Sequence, residues 1–235
     1  MDRTARTVAF SATEPVCQGT ASFFFERPEA YRFAAGQYFT LTLLTGDGEQ
    51  TKSFSHCDSP GDERSQLTTR LTGSAFKNAL EALMPGDPVA VAGPFGSLTV
   101  PEGMTKAAFL VGGVGITPAR SILRDSVQRG TGLTALVFDG NLDEGCIPFD
   151  EEFRRYEVET SGVRFVHVLE RPGQAWTGER GFITADTVLR HCDPLDGWHW
   201  FVAGPPAMAK AMEVVIAGLG LPEDRVSREP FSGYQ

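Results

Sequence analysis

Cysteine is scarce in this 235-residue chain, and the four present (Cys17, Cys57, Cys146 and Cys192) lie far apart with no C-x-x-C pair. That spacing excludes a zinc or iron–sulfur ligand set built from local sequence, and it suits a reducing compartment. Long apolar runs are also missing; none approaches the roughly 18 residues that a membrane span needs. Positive charge is in deficit, 21 Lys and Arg against 30 Asp and Glu for a net charge of −9. That excludes a nucleic-acid partner and a polybasic membrane-binding face. The opening Met1-Asp2-Arg3-Thr4 leads into polar sequence rather than the apolar core of a secretory signal. No internal repeat and no low-complexity linker interrupts the chain. The expectation is a soluble cytoplasmic protein without a bound metal.

What is present divides into two patterns. Up to Met104 the sequence is rich in strand signals: Ala21–Phe25, Tyr38–Leu44, Thr51–Cys57, Leu67–Leu71 and Pro88–Ala92 alternate or run apolar, separated by Gly- and Pro-containing turns. Such spacing predicts an antiparallel barrel or sandwich. One helix is expected there, over Ser74–Leu83, with Phe76, Leu80 and Leu83 on one face. From Ala107 onward strands alternate with helices. Leu133–Phe138, Val163–Leu169 and Trp198–Ala203 read as strands; Phe149–Glu157, Thr184–His191 and Pro206–Gly218 read as helices. This alternation predicts a doubly wound parallel sheet. The expected domains are 1–104, all β, and 105–235, α/β.

The most informative stretch is Gly112-Gly113-Val114-Gly115-Ile116-Thr117-Pro118, between the apolar run Ala107–Val111 and a helix ending at Gly130. Thr117 and Pro118 read as N-cap and first-turn residue. A strand, a glycine turn and a helix start offer backbone N–H groups and a positive dipole end to a phosphate. Proline stands where the common dinucleotide fingerprint has its third glycine. By spacing alone, a tight structural turn and a nucleotide site read equally well. A second phosphate-ready start is Thr72-Gly73-Ser74-Ala75-Phe76-Lys77, where Lys77 adds charge, and Lys52 can supply another cation. Taken singly these are a capped surface helix and a strand lysine; together they suit a diphosphate ligand plus a second nucleotide.

In order along the chain, Gly36-Gln37-Tyr38, Lys52-Ser53-Phe54-Ser55, Gly93-Pro94-Phe95-Gly96, Gly112–Pro118 and Gly204-Pro205-Pro206-Ala207-Met208 together resemble the ferredoxin–NADP reductase family of flavoproteins over essentially the whole length. The resemblance implies an antiparallel Greek-key flavin barrel followed by a nicotinamide-nucleotide domain. It also implies FAD rather than FMN, and NADH or NADPH as donor. On the family's flavin motif, Lys52 stands for an arginine at the flavin phosphate, Phe54 for a tyrosine against the ring, and Ser55 near flavin N5. Lysine keeps the charge and loses the bidentate fork. His56-Cys57-Asp58 stands beside the flavin where small or apolar residues are usual. The amides of Thr72–Lys77 would cap the pyrophosphate. Gly113, Gly115, Ile116, Thr117 and Pro118 would underlie the dinucleotide, with Thr117 at the nicotinamide. Gly204, Pro205, Pro206 and Met208 would form the facing turn, preceded by Ala203 in place of the family's cysteine. Near the end, Glu229 would relay protons and Phe231 would approach the other flavin face, with Tyr234 as its competitor.

Asp139 and Asn141, after the strand Leu133–Phe138, stand where NADP-preferring relatives place a serine and an arginine. A carboxylate repels a 2′-phosphate and accepts from ribose hydroxyls, so NADH is the expected donor. The implied activity is a flavin-dependent oxidoreductase passing electrons to a separate acceptor, such as a ferredoxin-like protein. Two other readings stand beside it: a flavin or ferric-chelate reductase using flavin as a substrate, and a non-enzymatic flavin or nucleotide redox sensor, motivated by His56-Cys57-Asp58. Core aromatics for Phe54 and Phe231, a buried apolar role for Cys57 and a satisfied polar role for His56 are the plain alternatives.

Overall fold

The computed structural model describes residues 4–192 and 194–230. Two six-stranded sheets carry the fold. The first is antiparallel throughout and curls into a barrel-like wall. It contains β1 (Arg6–Cys17), β2 (Thr20–Glu26), β3 (Tyr38–Thr45), β4 (Gly48–Ser55), β5 (Arg64–Arg70) and β6 (Pro88–Phe95), in the order β4-β3-β6-β1-β2-β5. Inward residues alternate along each strand, as the period of two requires. Phe10, Phe23, Phe25, Phe39, Leu41 and Leu67 fill the interior, and helix α1 (Ala75–Glu81) closes it with Phe76 and Leu80.

The second sheet is parallel, in the order β10-β9-β8-β7-β11-β12. Its strands are β7 (Lys106–Gly112), β8 (Thr134–Asn141), β9 (Val163–Leu169), β10 (Glu179–Arg180), β11 (His199–Gly204) and β12 (Val226–Pro230). Both faces are covered, so β7 is apolar without a break: Ala107, Phe109 and Val111 face one core, Ala108 and Leu110 the other. Helices α2 (Ile116–Arg129) and α3 (Asp150–Glu159) cover the first face, and α4 (Ala185–His191) and α5 (Pro206–Leu219) cover the second.

Chain order reverses at β7, which has β8 on one side and β11 on the other. In open parallel sheets such a reversal leaves a crevice at the carboxyl ends of the strands. Both glycine turns leave the sheet there. A Cβ on Gly115 would lie 2.4 Å from the Ala203 carbonyl oxygen and 2.7 Å from Gly204 Cα, so only glycine lets the two turns touch.

Three expectations change. β1 is missing from the sequence reading because only Val8 and Phe10 along it are buried, and most of Ser11–Cys17 has no alternation to read. β4 ends at Ser55, so His56 and Cys57 lie in the following loop. Thr117 is not an N-cap: a 3-10 turn over Gly113–Gly115 runs straight into α2, and the buried Thr117 hydroxyl donates to the Val114 carbonyl at 2.9 Å. Among the described residues, no helix is long and apolar enough to cross a membrane.

Candidate active site

Two clefts meet at the carboxyl edge of the parallel sheet. The first, about 730 Å³, is walled by Lys52, Ser53, Phe54 and Ser55 of β4, by Thr68–Arg70 of β5, and by Thr72 and Ser74–Lys77 at the start of α1. Gly96–Leu98 also borders it, and Val114, Thr117, Arg228 and Glu229 enter from the α/β half. The second, about 590 Å³, is lined by Gly112–Val114, Gly140–Leu142, Glu170, Arg171, Phe182, Pro205 and Met208 among others. Val114 and Arg70 border both, so the clefts adjoin.

The first cleft has an apolar platform and a cationic end. Lys77 lies on the first turn of α1 because Ser74 caps that helix, its Oγ accepting from the Lys77 N–H at 3.4 Å. The Lys77 ammonium sits 4.6 Å from the Phe54 ring centroid and donates to the Thr69 hydroxyl. Burial, with Lys52 adding repulsion, pulls its pKa down to about 8. Ser55 is buried at the cleft wall, and its hydroxyl has no hydrogen-bond partner among the described residues. At the junction with the α/β half, Glu229 Oε2 is buried and has no partner among the described residues, and burial raises its pKa to about 7. Gly96 makes room there: a Cβ at its φ of +85° would lie 2.8 Å from Tyr38 Cδ1 and 3.3 Å from Glu229 Oε1.

These residues fit a flavin dinucleotide. They offer a ring-sized apolar wall at Phe54, a serine hydroxyl without a partner, and two lysines beside a capped helix start for phosphate. The second cleft fits a nicotinamide dinucleotide. Gly113, at φ +52°, leaves open space where a Cβ would stand, so its backbone faces the cleft bare. Arg70, on the seam, has no hydrogen-bond or ion-pair partner among the described residues.

Gly73, Gly115, Ile116, Pro118, Gly204 and Pro206 shape the turns without lining either cleft. Three expected ligand contacts are displaced. His56 turns inward, stacked 3.6 Å on Phe33, with Tyr31 Oη at 3.0 Å from Nε2 and Asp58 Oδ1 at 3.0 Å from Nδ1. Cys57 is wholly buried, and burial pushes its thiol pKa up, which makes it unreactive. Asp139 is also wholly buried, its Oδ2 accepting from Asn141 Nδ2 at 2.7 Å and lying 3.3 Å from His167 Nδ1. The carboxylate that does reach the second cleft is Glu170, just past β9, which the sequence reading missed together with Arg70, Arg171 and Phe182. The signal available was position: the ends of parallel strands line the crevice. Phe231 and Tyr234 lie outside the described residues.

Comparison with known proteins agrees with this layout. Residues 109–213 match the model of the oxidoreductase NAD-binding domain. Ferredoxin–NADP reductase B of Sorangium cellulosum is 29% identical over 94% of this chain and 95% of its own length. Over nearly its whole length the chain is similar to ferredoxin–NADP reductases. The reductase component of propane 2-monooxygenase from Mycolicibacterium smegmatis is 26% identical, over 94% of this chain and 66% of the relative. Among solved structures, a ferredoxin NADP+ reductase from Neisseria gonorrhoeae with bound FAD and NADP superposes with a TM-score of 0.81. It is 18% identical, over 97% of this chain and 99% of that one. Lys52, Phe54 and Ala203 are the positions at which the sequence departs from the motifs it resembles, and the loop after β4 holds a buried polar network of Tyr31, His56 and Asp58.

Proposed function

We propose that the protein takes a hydride from NADH onto FAD and passes the electrons to a separate acceptor, such as a ferredoxin-like protein. The observation that carries this reading is that the two clefts adjoin at Val114 and Arg70, which sets two dinucleotide sites side by side. In this reading residues 1–104 hold the flavin and residues 105–235 the nicotinamide nucleotide.

Bound FAD supplies a hydride acceptor that can release electrons singly or in pairs. The chain supplies position and charge. Phe54 carries the ring, Ser55 offers a hydroxyl at its edge, and Lys52 and Lys77 neutralise phosphate. Arg70 is placed for the donor's pyrophosphate. Thr117, its hydrogen engaged by Val114, keeps lone pairs to accept from the donor's carboxamide. Glu229, with its pKa raised to about 7, holds or yields a proton at the oxygen that has no partner among the described residues. Alignment of the two dinucleotides is then the chain's main contribution to rate.

The preference for NADH rests on Glu170 rather than Asp139. Glu170 borders the second cleft and can accept from ribose hydroxyls, whereas Asp139 is sealed beneath the sheet end. A cytoplasmic location is part of the same reading, supported by four free cysteines. Anaerobic titration tests the core of it. NADH bleaches the flavin absorbance of the purified protein stoichiometrically, and an unbleached spectrum refutes the assignment.

One observation favours a second reading, in which flavin is a released substrate. A point-charge lysine replaces the family's forked arginine, and the other phosphate-facing lysine has a depressed pKa. Flavin lost on gel filtration, with rapid NADH-dependent reduction of added flavin, would select it. The redox-sensor reading loses its motivation, because His56 and Cys57 face the core rather than the cleft.

A further inference from the structure

The flavin strand and the dinucleotide turn belong to different sheets, and among the described residues no strand pairing joins them. One main-chain hydrogen bond, from Gln18 N–H to the Gly145 carbonyl at 3.1 Å, crosses between the halves at the β1–β2 turn; between the segment after β4 and α2 the link is made by side chains. Ser55 lines the first cleft, and the segment after it passes under α2, where the Cys57 carbonyl and Gln66 Oε1 (3.0 Å) accept from Arg120 Nη1. Glu152 Oε2 on α3 accepts from Arg120 Nε at 2.9 Å and Nη2 at 2.7 Å. The guanidinium carbon lies 4.3 Å from the Phe149 ring centroid. Arg120 is thus buried, neutralised, stacked and bonded to three separate segments. It stands one turn after Thr117, about 4.5 Å along the same helix, and Thr117 borders the cleft that Ser55 lines.

We propose that Arg120 is a positioning residue for hydride transfer: its planar fork fixes the distance between Ser55 of β4 and Thr117, which enters the same cleft from the α/β half. This rests on the functional reading above. The geometry needs arginine. A lysine keeps a charge opposite Glu152 but cannot reach a carboxylate, an amide oxygen and a main-chain carbonyl in one plane. Arg124 serves the same interface differently. It pairs chiefly with Asp62 at 2.6 Å and reaches Glu152 Oε1 only at 3.5 Å, is more exposed (29% against 8% for the Arg120 side chain), and sits a further turn from the cleft.

The test compares wild type, Arg120→Lys and Arg124→Lys as flavin-loaded proteins. The readouts are FAD dissociation, the long-wavelength absorbance formed when NAD+ meets the dithionite-reduced protein, and anaerobic reduction by NADH. For Arg120→Lys the FAD dissociation constant stays within about twofold, while the long-wavelength absorbance and the reduction rate constant each fall about tenfold or more, as misalignment on the order of an ångström predicts. Arg124→Lys lowers the melting temperature and leaves the absorbance at the wild-type level. If Arg120→Lys does not fold, Glu152→Gln is read against Arg124→Lys: it loosens the Arg120 fork and also the 3.5 Å contact with Arg124, so an absorbance lowered in Glu152→Gln and kept in Arg124→Lys assigns the loss to Arg120. An unchanged absorbance in the Arg120 or Glu152 variant, or an equal loss in Arg124→Lys, overturns the proposal alone. A wild type that NADH leaves oxidised overturns the functional reading and this proposal with it.

Discussion

The ammonium of Lys77 lies 4.6 Å from the centroid of the Phe54 ring, so one residue of α1 holds a cation against the apolar platform of β4. The contact keeps the cation at the cleft wall, where it is both partly desolvated and next to Lys52. Both effects weaken its hold on its proton.

A pH dependence follows from that burial. The folded pKa of Lys77 is about 8 against an ordinary value of 10.5. Below pH 8 the lysine is charged in both folded and unfolded chains, and the desolvation penalty is present in full. Between pH 8 and 10.5 the folded chain has shed its proton first, so the ligand-free protein gains stability as pH rises through this window. Flavin binding runs the other way, because phosphate needs the charged form. FAD affinity, followed by quenching of flavin fluorescence, falls on the order of tenfold between pH 7 and pH 9. Lys77→Met binds FAD weakly at both pH values and flattens that dependence. A wild-type affinity independent of pH would count against phosphate contact by Lys77.

Much of the architecture was legible because two periodicities dominate it. The switch from alternating strands to strand–helix alternation near Met104 marks the change from antiparallel to parallel sheet, and Phe76 with Leu80 marks the buried face of α1. β1 was not legible, since a strand whose far half is largely solvated has no apolar alternation. The glycine turn was legible as chemistry and misread as geometry. A helix entered through a 3-10 turn needs no side-chain cap, so the Thr-Pro pair lies inside α2. Asp139 and His56 were misplaced for a common reason: a polar residue at a strand end can face the cleft or the core. Buried partners, Asn141 with His167 for one and Asp58 with Tyr31 for the other, turn these two inward. Asn141 and Asp58 stand only two residues from Asp139 and His56, but His167 and Tyr31 are 28 and 25 residues away, where spacing rules do not reach.

The two inner glycines of the turn respond differently to alanine. Gly113 has a φ of +52° and open space at its Cβ, so Gly113→Ala costs only the left-handed backbone, roughly 1–2 kcal/mol. Gly115 has a helical φ of −62°, yet its Cβ would strike the Ala203 carbonyl at 2.4 Å. The contact is with backbone, so the two turns must separate, at about 1–3 kcal/mol for overpacking plus lost alignment. Thermal unfolding lowers the melting temperature of both variants. Only Gly115→Ala also slows flavin reduction at saturating NADH. An equal loss of rate in Gly113→Ala would contradict the division of roles.

Donor choice separates the two candidate carboxylates. Glu170→Gln removes charge at the second cleft and raises kcat/KM for NADPH relative to NADH by about tenfold, the scale of one charge interaction near a protein surface. Asp139→Asn removes a charge sealed from the cleft and leaves that ratio unchanged while lowering stability, because its hydrogen bond from Asn141 is weakened. The ratio of specificity constants for the two donors checks both. A shift produced by Asp139→Asn and not by Glu170→Gln would restore the strand-end aspartate as the discriminating group.

Glu229 ties proton supply to stability. Burial lifts its pKa from 4.5 to about 7 in the folded chain. Below pH 4.5 it is protonated in both states; between pH 4.5 and 7 the folded chain keeps a proton the unfolded chain has lost, so stability declines as pH rises, and above pH 7 the destabilisation is complete. Glu229→Gln carries no charge at any pH, and the isosteric amide fills the same space. The variant is therefore more stable than wild type at pH 8 and close to it at pH 4.5, a difference that denaturant unfolding of the ligand-free protein measures directly. If the carboxyl also feeds protons to the cleft, the wild-type turnover with a two-electron acceptor shows an inflection near pH 7 that Glu229→Gln lacks. Hydride transfer from NADH in the half-reaction is unaffected by pH in both. A stability difference without the kinetic inflection would leave Glu229 as a buried acid of the cleft wall with no part in proton transfer.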